Sequence, residues 1–237
     1  MQNNAIAGNF KVIQQRINTA AHHSQESGEI LLVSVSKTQP AEILEAAFKT
    51  GITVFGENYA QELREKAEYF LKTFEDQPQP EWHFIGHLQT NKVKYVVPYT
   101  TMIHSVDSLK VAQEISKQAL KANKTIQILV QVNTSGELSK SGCQPEEVIQ
   151  LAEELLKLPN IFPAGLMTIP ANDDDISAHR EFSMLRDIRN DLQEKFGNKF
   201  FYHLSMGMTH DFEIAIEEGA TIVRIGTAIF GERNFKM

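Results

Sequence analysis

Eight short apolar runs recur along this chain, and the first seven are each followed by an amphipathic or polar run. The strand-like runs are "ILLVSVS", "ITVFGE", "EWHFIG", "TMIHSV", "TIQILVQVN", "PAGLMTI", "FYHLSMG" and "TIVRIGTAIFG". Between them lie helix-like runs such as "AEILEAAFKTG", "AQELREKAEYFLKTF", "SLKVAQEISKQALKAN", "PEEVIQLAEELLKL" and "HDFEIAIEEGA". Gly51, Gly197 and Gly219 close three of these, and Pro98 and Pro159 follow two others, as helix C-termini favour. Strands separated by helices point to parallel βα units, because parallel neighbours need long crossover connections. Eight such units in succession predict a (β/α)₈ barrel, read as one domain over residues 1–237. Ile6, Phe10, Ile13 and Ile17 recur at helical spacing before the first strand, predicting an extra N-terminal helix. After the eighth run only "ERNFKM" remains, too little for a closing helix, so the leading helix is expected to cover the gap there. A doubly wound open sheet is the alternative fold, but no GxGxxG opens the first unit.

Charge narrows the partners. With 23 basic and 30 acidic side chains the formal net charge is −7, which disfavours a general binder of nucleic acid or of anionic membranes. The first residues carry no apolar core of the kind a secretory signal needs, and no run is long enough to span a bilayer. A single cysteine, Cys143, rules out an internal disulfide and fits a reducing cytoplasm; it is read as a passive thiol.

In a barrel the chemistry gathers at the C-terminal ends of the strands. Lys37 stands there after the first strand, and Asn58 after the second. A lysine at the edge of an apolar strand must reach water, pair with an anion or lose its charge. Taken alone, it reads as a side chain snorkelling to solvent. The loops after strands seven and eight, the usual phosphate site of this architecture, hold Ser205, Gly207, Thr209, Gly226 and Thr227. Small residues and hydroxyls there suit an anion, although singly each is explained by a turn or a cap. Together, an amine and a phosphate cup on one rim suit a cofactor bearing both a carbonyl and a phosphate. Pyridoxal 5′-phosphate (PLP) bears both, and its aldehyde would form a Schiff base with Lys37. Val223 and Ile225 share one face of strand eight, so Arg224 lies on the other and is a candidate partner for the pyridine nitrogen. The competing reading pairs Arg224 with Glu213 or Glu217.

At these residues the chain resembles the pyridoxal phosphate homeostasis family, also called the YggS or proline-synthetase co-transcribed family. The resemblance rests on "VSVSKTQP", "FGENYAQE", "WHFIGHLQTNK", "HSVDS", "VNTSGELSKSGC", "GLMTI", "LSMGMTHDFEIAI" and "VRIGTAIFGER", eight blocks in family order along nearly the whole chain. Thr209 stands where serine is common. The resemblance implies a barrel similar to the N-terminal domain of alanine racemase, with PLP on Lys37. It further implies phosphate contacts from Ser205, Gly207, Gly226 and Thr227, Arg224 at the pyridine nitrogen and Asn58 beside the ring. It implies a role in vitamin B6 and amino-acid homeostasis without established turnover, with apo forms of PLP enzymes as transient partners.

The rest of the motifs read as structural. Trp82 reads as packing and Lys140 as a solvated loop lysine, while His83 and His87 are placed as groups that titrate near neutrality. No metal site is expected, because no third ligand stands at a supporting spacing. No catalytic residue is assigned. The enzymatic alternative is a racemase-like PLP enzyme, which needs acid/base groups on both faces of the substrate carbanion. In racemases the second group comes from a partner chain with an additional β-domain, and this chain is expected to lack that domain and to be a monomer.

Overall fold

The computed structural model describes residues 2–24, 28–137, 140–171 and 174–231. Eight parallel strands close into a barrel in chain order: β1 (Leu31–Val35), β2 (Val54–Glu57), β3 (Glu81–Phe84), β4 (Met102–Val106), β5 (Ile126–Gln131), β6 (Ile161–Met167), β7 (His203–Ser205) and β8 (Ile222–Ile225). Strands β8 and β1 seal it, with Leu31 opposite Ile222 and Val33 opposite Arg224. Helix α1 (Gln2–His23) precedes the barrel, and α2 (Ala41–Phe48), α3 (Ala60–Thr73), α4 (Val93–Val96), α5 (Leu109–Lys121), α6 (Val148–Leu155), α7 (Asp175–Phe196) and α8 (Phe212–Glu217) form the crossovers. Helix α7 starts at Asp174, whose carboxylate accepts from the Ser177 N–H at 2.7 Å. Gly51, Gly197 and Gly219 sit at φ of 99°, 93° and 91°, the left-handed turn that ends a helix and that only glycine adopts freely.

The period of two sorts the strand side chains between two cores. Val33, Val54, Met102, Leu129, Ala164 and Ile222 fill the lumen. Their neighbours, among them Phe55, Phe84, Ile103, Ile128, Leu166 and Val223, face the helices. In α3, Leu63, Ala67 and Phe70 recur at three- and four-residue spacing and are buried. Phe70 stacks on Phe74 at 5.4 Å and meets Trp82 edge-on at 5.6 Å, so Trp82 is packing. Each buried ring of this kind contributes roughly 1.5–3 kcal/mol.

The eighth run departs from its expected form. Strand β8 ends at Ile225, and at Gly226 the chain turns into a one-turn helix, α9 (Thr227–Phe230). The segment "ERNFKM" lies outside the described residues, as do Leu138 and Ser139 of the "GELSKSG" block. With so short a helix after β8, α1 covers the gap as expected. Ile6, Ile13, Ile17 and Ala20 are buried beneath it. Arg16 bonds Glu213 at 2.7 Å and lies over the Phe212 ring, and Asn9 donates to the Ile229 carbonyl at 3.1 Å, tying α1 to both α8 and α9. No helix among the described residues is long and apolar enough to cross a membrane.

Candidate functional site

Strand alternation delivers Lys37 to the inner rim. Leu31 and Val33 point into the lumen, Val35 lines a cleft at the C-terminal mouth, and Lys37, two residues on, lines the same cleft. Ser36, between them, points outward. Its hydroxyl donates to Glu57 Oε1 at 2.5 Å, and Lys66 Nζ donates to that oxygen at 2.8 Å, to the Ser36 carbonyl at 2.9 Å and to Glu62 at 3.1 Å. Glu62 Oε2 also accepts from the Thr38 N–H at 2.8 Å. Thr38 is left-handed, at φ 65°. A β-branched residue there costs on the order of 1–3 kcal/mol, and the bonds from α3 hold it in place. The residues on either side of Lys37 are therefore pinned, which fixes where the amine leaves the backbone.

Arg224 enters from the neighbouring strand β8, level with Val33 of β1. It is 4% exposed, and Nη1 donates to Ser205 Oγ at 2.7 Å while Nη2 donates to the Thr168 carbonyl at 2.9 Å. Desolvation lowers its pKa to about 10, with Asp211 opposing the shift, so it stays cationic at neutral pH. Neither carboxylate proposed from sequence reaches it. Glu213 pairs with Arg16, and Glu217 lies 3.9 Å from His179.

The third wall is the hydroxyl cup. Thr209 and Thr227 bring their oxygens to 3.3 Å of each other. Gly226 forms the floor, where an added Cβ would stand 3.1 Å from the Val35 carbonyl. A side chain there would crowd Val35 of β1, which must give by a few tenths of an ångström to admit it. Asn58 completes the lining, and its Oδ1 is buried without a hydrogen-bond partner. An orphaned acceptor inside a cleft fits a site that expects a polar ligand. The cleft measures about 280 Å³.

Six of the eight residues singled out from sequence therefore meet in one cleft: Lys37, Asn58, Thr209, Arg224, Gly226 and Thr227. Ser205 and Gly207 do not line it. The Ser205 side chain points into the lumen, is fully buried and takes up the Arg224 guanidinium. Gly207 lies at φ 90° with Phe212 and Ala215 so close that an added Cβ would be 2.6 Å from the Ala215 methyl, and its carbonyl accepts from the Arg224 N–H. Both act beneath the cleft rather than on its surface. Sequence reasoning missed Gln39, Ile85, Ile169, Met208, His210 and Phe230, which also line the mouth. Ile85 and Ile169 stand just beyond β3 and β6, where the barrel rule could have placed them. Gly86 was missed too; any side chain on it would collide with the backbone of Asn58.

His83 does not titrate near neutrality. It is buried in the lumen, and desolvation pushes its pKa down to about 3. His87 lies on the outside, 3.7 Å from Asp107. Burial raises the Cys143 thiol to about 12, which suits its reading as a passive thiol. Lys140 is less free than a solvated loop lysine, since it donates to the Pro170 carbonyl at 2.9 Å and pairs with Glu137. A larger cavity, about 840 Å³, lies at the opposite mouth between α1 and the starts of β1 and β2. Its described lining includes Lys11 and His203 but no arginine.

The model of the alanine racemase N-terminal domain matches residues 3–234. A pyridoxal phosphate homeostasis protein of Aquifex aeolicus is 48% identical over 207 residues, covering 86% of this chain and 87% of the relative. One from Vibrio cholerae is 42% identical over 235 residues, covering 98% of each. The structure of PipY from Synechococcus elongatus PCC7942 with PLP bound superposes with a TM-score of 0.82 at 30% identity, over 95% of this chain and all of that one. An alanine racemase of Clostridium difficile shares the fold at 16% identity and a TM-score of 0.73, with this chain spanning 58% of it. This chain belongs to the pyridoxal phosphate homeostasis protein family, built on the alanine racemase N-terminal domain.

Proposed function

We propose that the cleft binds PLP and that the chain serves intracellular PLP and amino-acid homeostasis as a monomeric, cytoplasmic carrier without turnover. The observation that carries this reading is the convergence of Lys37, the buried Arg224 cation and the Thr209–Thr227 hydroxyl pair on one cleft. When bound, PLP supplies an aldehyde open to reversible condensation with an amine. Lys37 would hold that carbon through its amine, in a linkage that hydrolysis would reverse. Thr227, Thr209 and the backbone at Gly226 receive the phosphate, and Arg224 donates to the pyridine nitrogen. Arginine keeps its proton, so that nitrogen stays unprotonated and the ring is a weaker electron sink than one paired to an aspartate. Among the described lining residues there is no tyrosine and no carboxylate, and His210 is the one further side chain there able to act as an acid/base group. An open mouth and a hydrolysable tether suit exchange with apo-enzymes better than turnover.

The test is absorption of the PLP-loaded protein before and after borohydride, with Lys37→Ala beside it. A visible band that reduction bleaches and the variant lacks is the expected result; trapped cofactor in Lys37→Ala overturns the assignment. Racemisation of alanine or another amino acid by the loaded protein would instead favour the racemase-like reading.

A further inference from the structure

Arg224 does not stop at Ser205. Ser205 Oγ lies 2.9 Å from His104 Nδ1, His104 Nε2 lies 3.0 Å from His83 Nδ1, and His83 Nε2 lies 3.9 Å from the Glu81 carboxylate at the start of β3. All members but Glu81 are buried, so the chain of polar groups crosses the lumen from the cleft toward the opposite mouth.

Its polarity follows from the two ends. A guanidinium only donates, so Ser205 Oγ accepts from Arg224. If the Ser205 hydroxyl then donates to His104 Nδ1, His104 carries its proton on Nε2 and gives it to His83 Nδ1. His83 then turns its own Nε2–H toward Glu81. The reverse order leaves the Ser205 proton without an acceptor and aims a lone pair of His83 at a carboxylate. In the favoured order every dipole presents its negative end to Arg224. Desolvation keeps both imidazoles neutral, with His104 lowered well below 6.5 and the Arg224 charge adding to the effect.

We infer that His104 and His83 are positioning residues for Arg224, joined through Ser205 in a polarised relay that holds the guanidinium in orientation toward the cleft. The relay takes the place of a carboxylate bonded directly to Arg224, which the described residues do not supply, Asp211 acting on the cation only at a distance. This rests on the reading of Arg224 as the partner of the pyridine nitrogen.

The experiment compares wild type, His104→Leu and His104→Asn as full chains loaded with PLP. His104→Leu removes the acceptor for Ser205, and is expected to shift the visible band and weaken PLP binding about 3- to 10-fold, the scale of one net hydrogen bond. His104→Asn keeps an acceptor near the Nδ1 position and is expected to restore most of both, even though it cuts the link to His83. A merely structural role would lower the melting temperature of both variants without moving the band. An unmoved band and unchanged affinity in His104→Leu, with cofactor still trapped on Lys37 of the wild type, overturns the relay. Absence of trapped cofactor in the wild type would instead indict the reading of the cleft. Should His104→Leu not fold, nitrogen NMR of the wild-type imidazoles decides the matter. Nε2–H tautomers for His104 and His83 from pH 8 to 5.5 are expected, and an Nδ1–H tautomer or an imidazolium at His104 overturns the relay.

Discussion

The barrel buries two cations near its C-terminal mouth and treats them in opposite ways. Lys66, 6% exposed, sits between strand and helix and is cancelled at once by Glu57 and Glu62. Arg224, 4% exposed, sits in the lumen and is held by a hydroxyl and a carbonyl. The first arrangement closes on itself and stabilises a loop. The second keeps a net charge pointed at a cleft, where a ligand acceptor can complete it. A buried charge left uncancelled by its own fold is the better marker of a binding site.

The contrast breaks most sharply at Lys66. Lys66→Met strands Glu57 in the outer core, and the expected loss is about 3–5 kcal/mol of unfolding free energy, the scale for breaking a buried pair. Burial already raises the Glu57 pKa despite Lys66 beside it. The folded state of the variant therefore holds a proton the unfolded state releases, and the loss should shrink as pH falls. Urea titrations at pH 8 and 5 check this; an equal loss at both would place the damage elsewhere.

The lumen should show the opposite pH sign. Burial holds His83 at about 3 and His203 at about 4, with His104 also well below 6.5. Below about pH 6.5 the unfolded chain binds protons that the native lumen refuses. Stability should then fall by up to about 1.4 kcal/mol per pH unit for each histidine. The His203 share of the decline should fade near pH 4, where its ring takes up a proton in the native state, while the His83 share continues toward pH 3. Above 6.5 these histidines add no slope. Unfolding midpoints from pH 7.5 to 5 measure it, and a flat profile would mean the lumen admits charge.

Smaller effects sharpen the ligand side. Thr227→Val should weaken PLP binding by about 1–3 kcal/mol if its hydroxyl meets the phosphate, read as a dissociation constant with the melting temperature unchanged. Arg224→Gln should cost the ligand-free protein far less stability than Lys66→Met, about 1 kcal/mol, because its direct partners are a hydroxyl and a carbonyl. It should nevertheless change the visible spectrum of bound PLP. A loss as large as that of Lys66→Met would mean the two cations are alike after all.

The sequence makes the frame legible because strand periodicity and the run of βα units are local signals. The same period of two places Lys37 and Arg224 on the inside. It places His104 there as well, alternating with Ile103 on β4, but an isolated histidine in an apolar run draws no attention until its partners on β3 and β7 are known. Ser205 was legible as a small polar residue near the cup. Its true neighbours, Arg224 and His104, lie 19 and 101 residues away in sequence, and only barrel closure brings them together. The Glu57–Lys66 pair was hidden for a different reason: a lysine on an amphipathic helix reads as solvated unless the strand beneath it is known to carry a carboxylate. Strand eight was overextended because "GTAIFG" continues the apolar run through a glycine that turns the chain.

The central claim is that Arg224 reaches the cleft as an uncancelled cation and donates to the ring nitrogen of PLP. The most direct measurement is the nitrogen NMR shift of PLP labelled at its pyridine nitrogen and bound to the full chain, followed from pH 6 to 9. An unprotonated, hydrogen-bonded nitrogen throughout, lost in Arg224→Gln, is the predicted result. A protonated ring nitrogen, or a shift that ignores the substitution, would contradict the account.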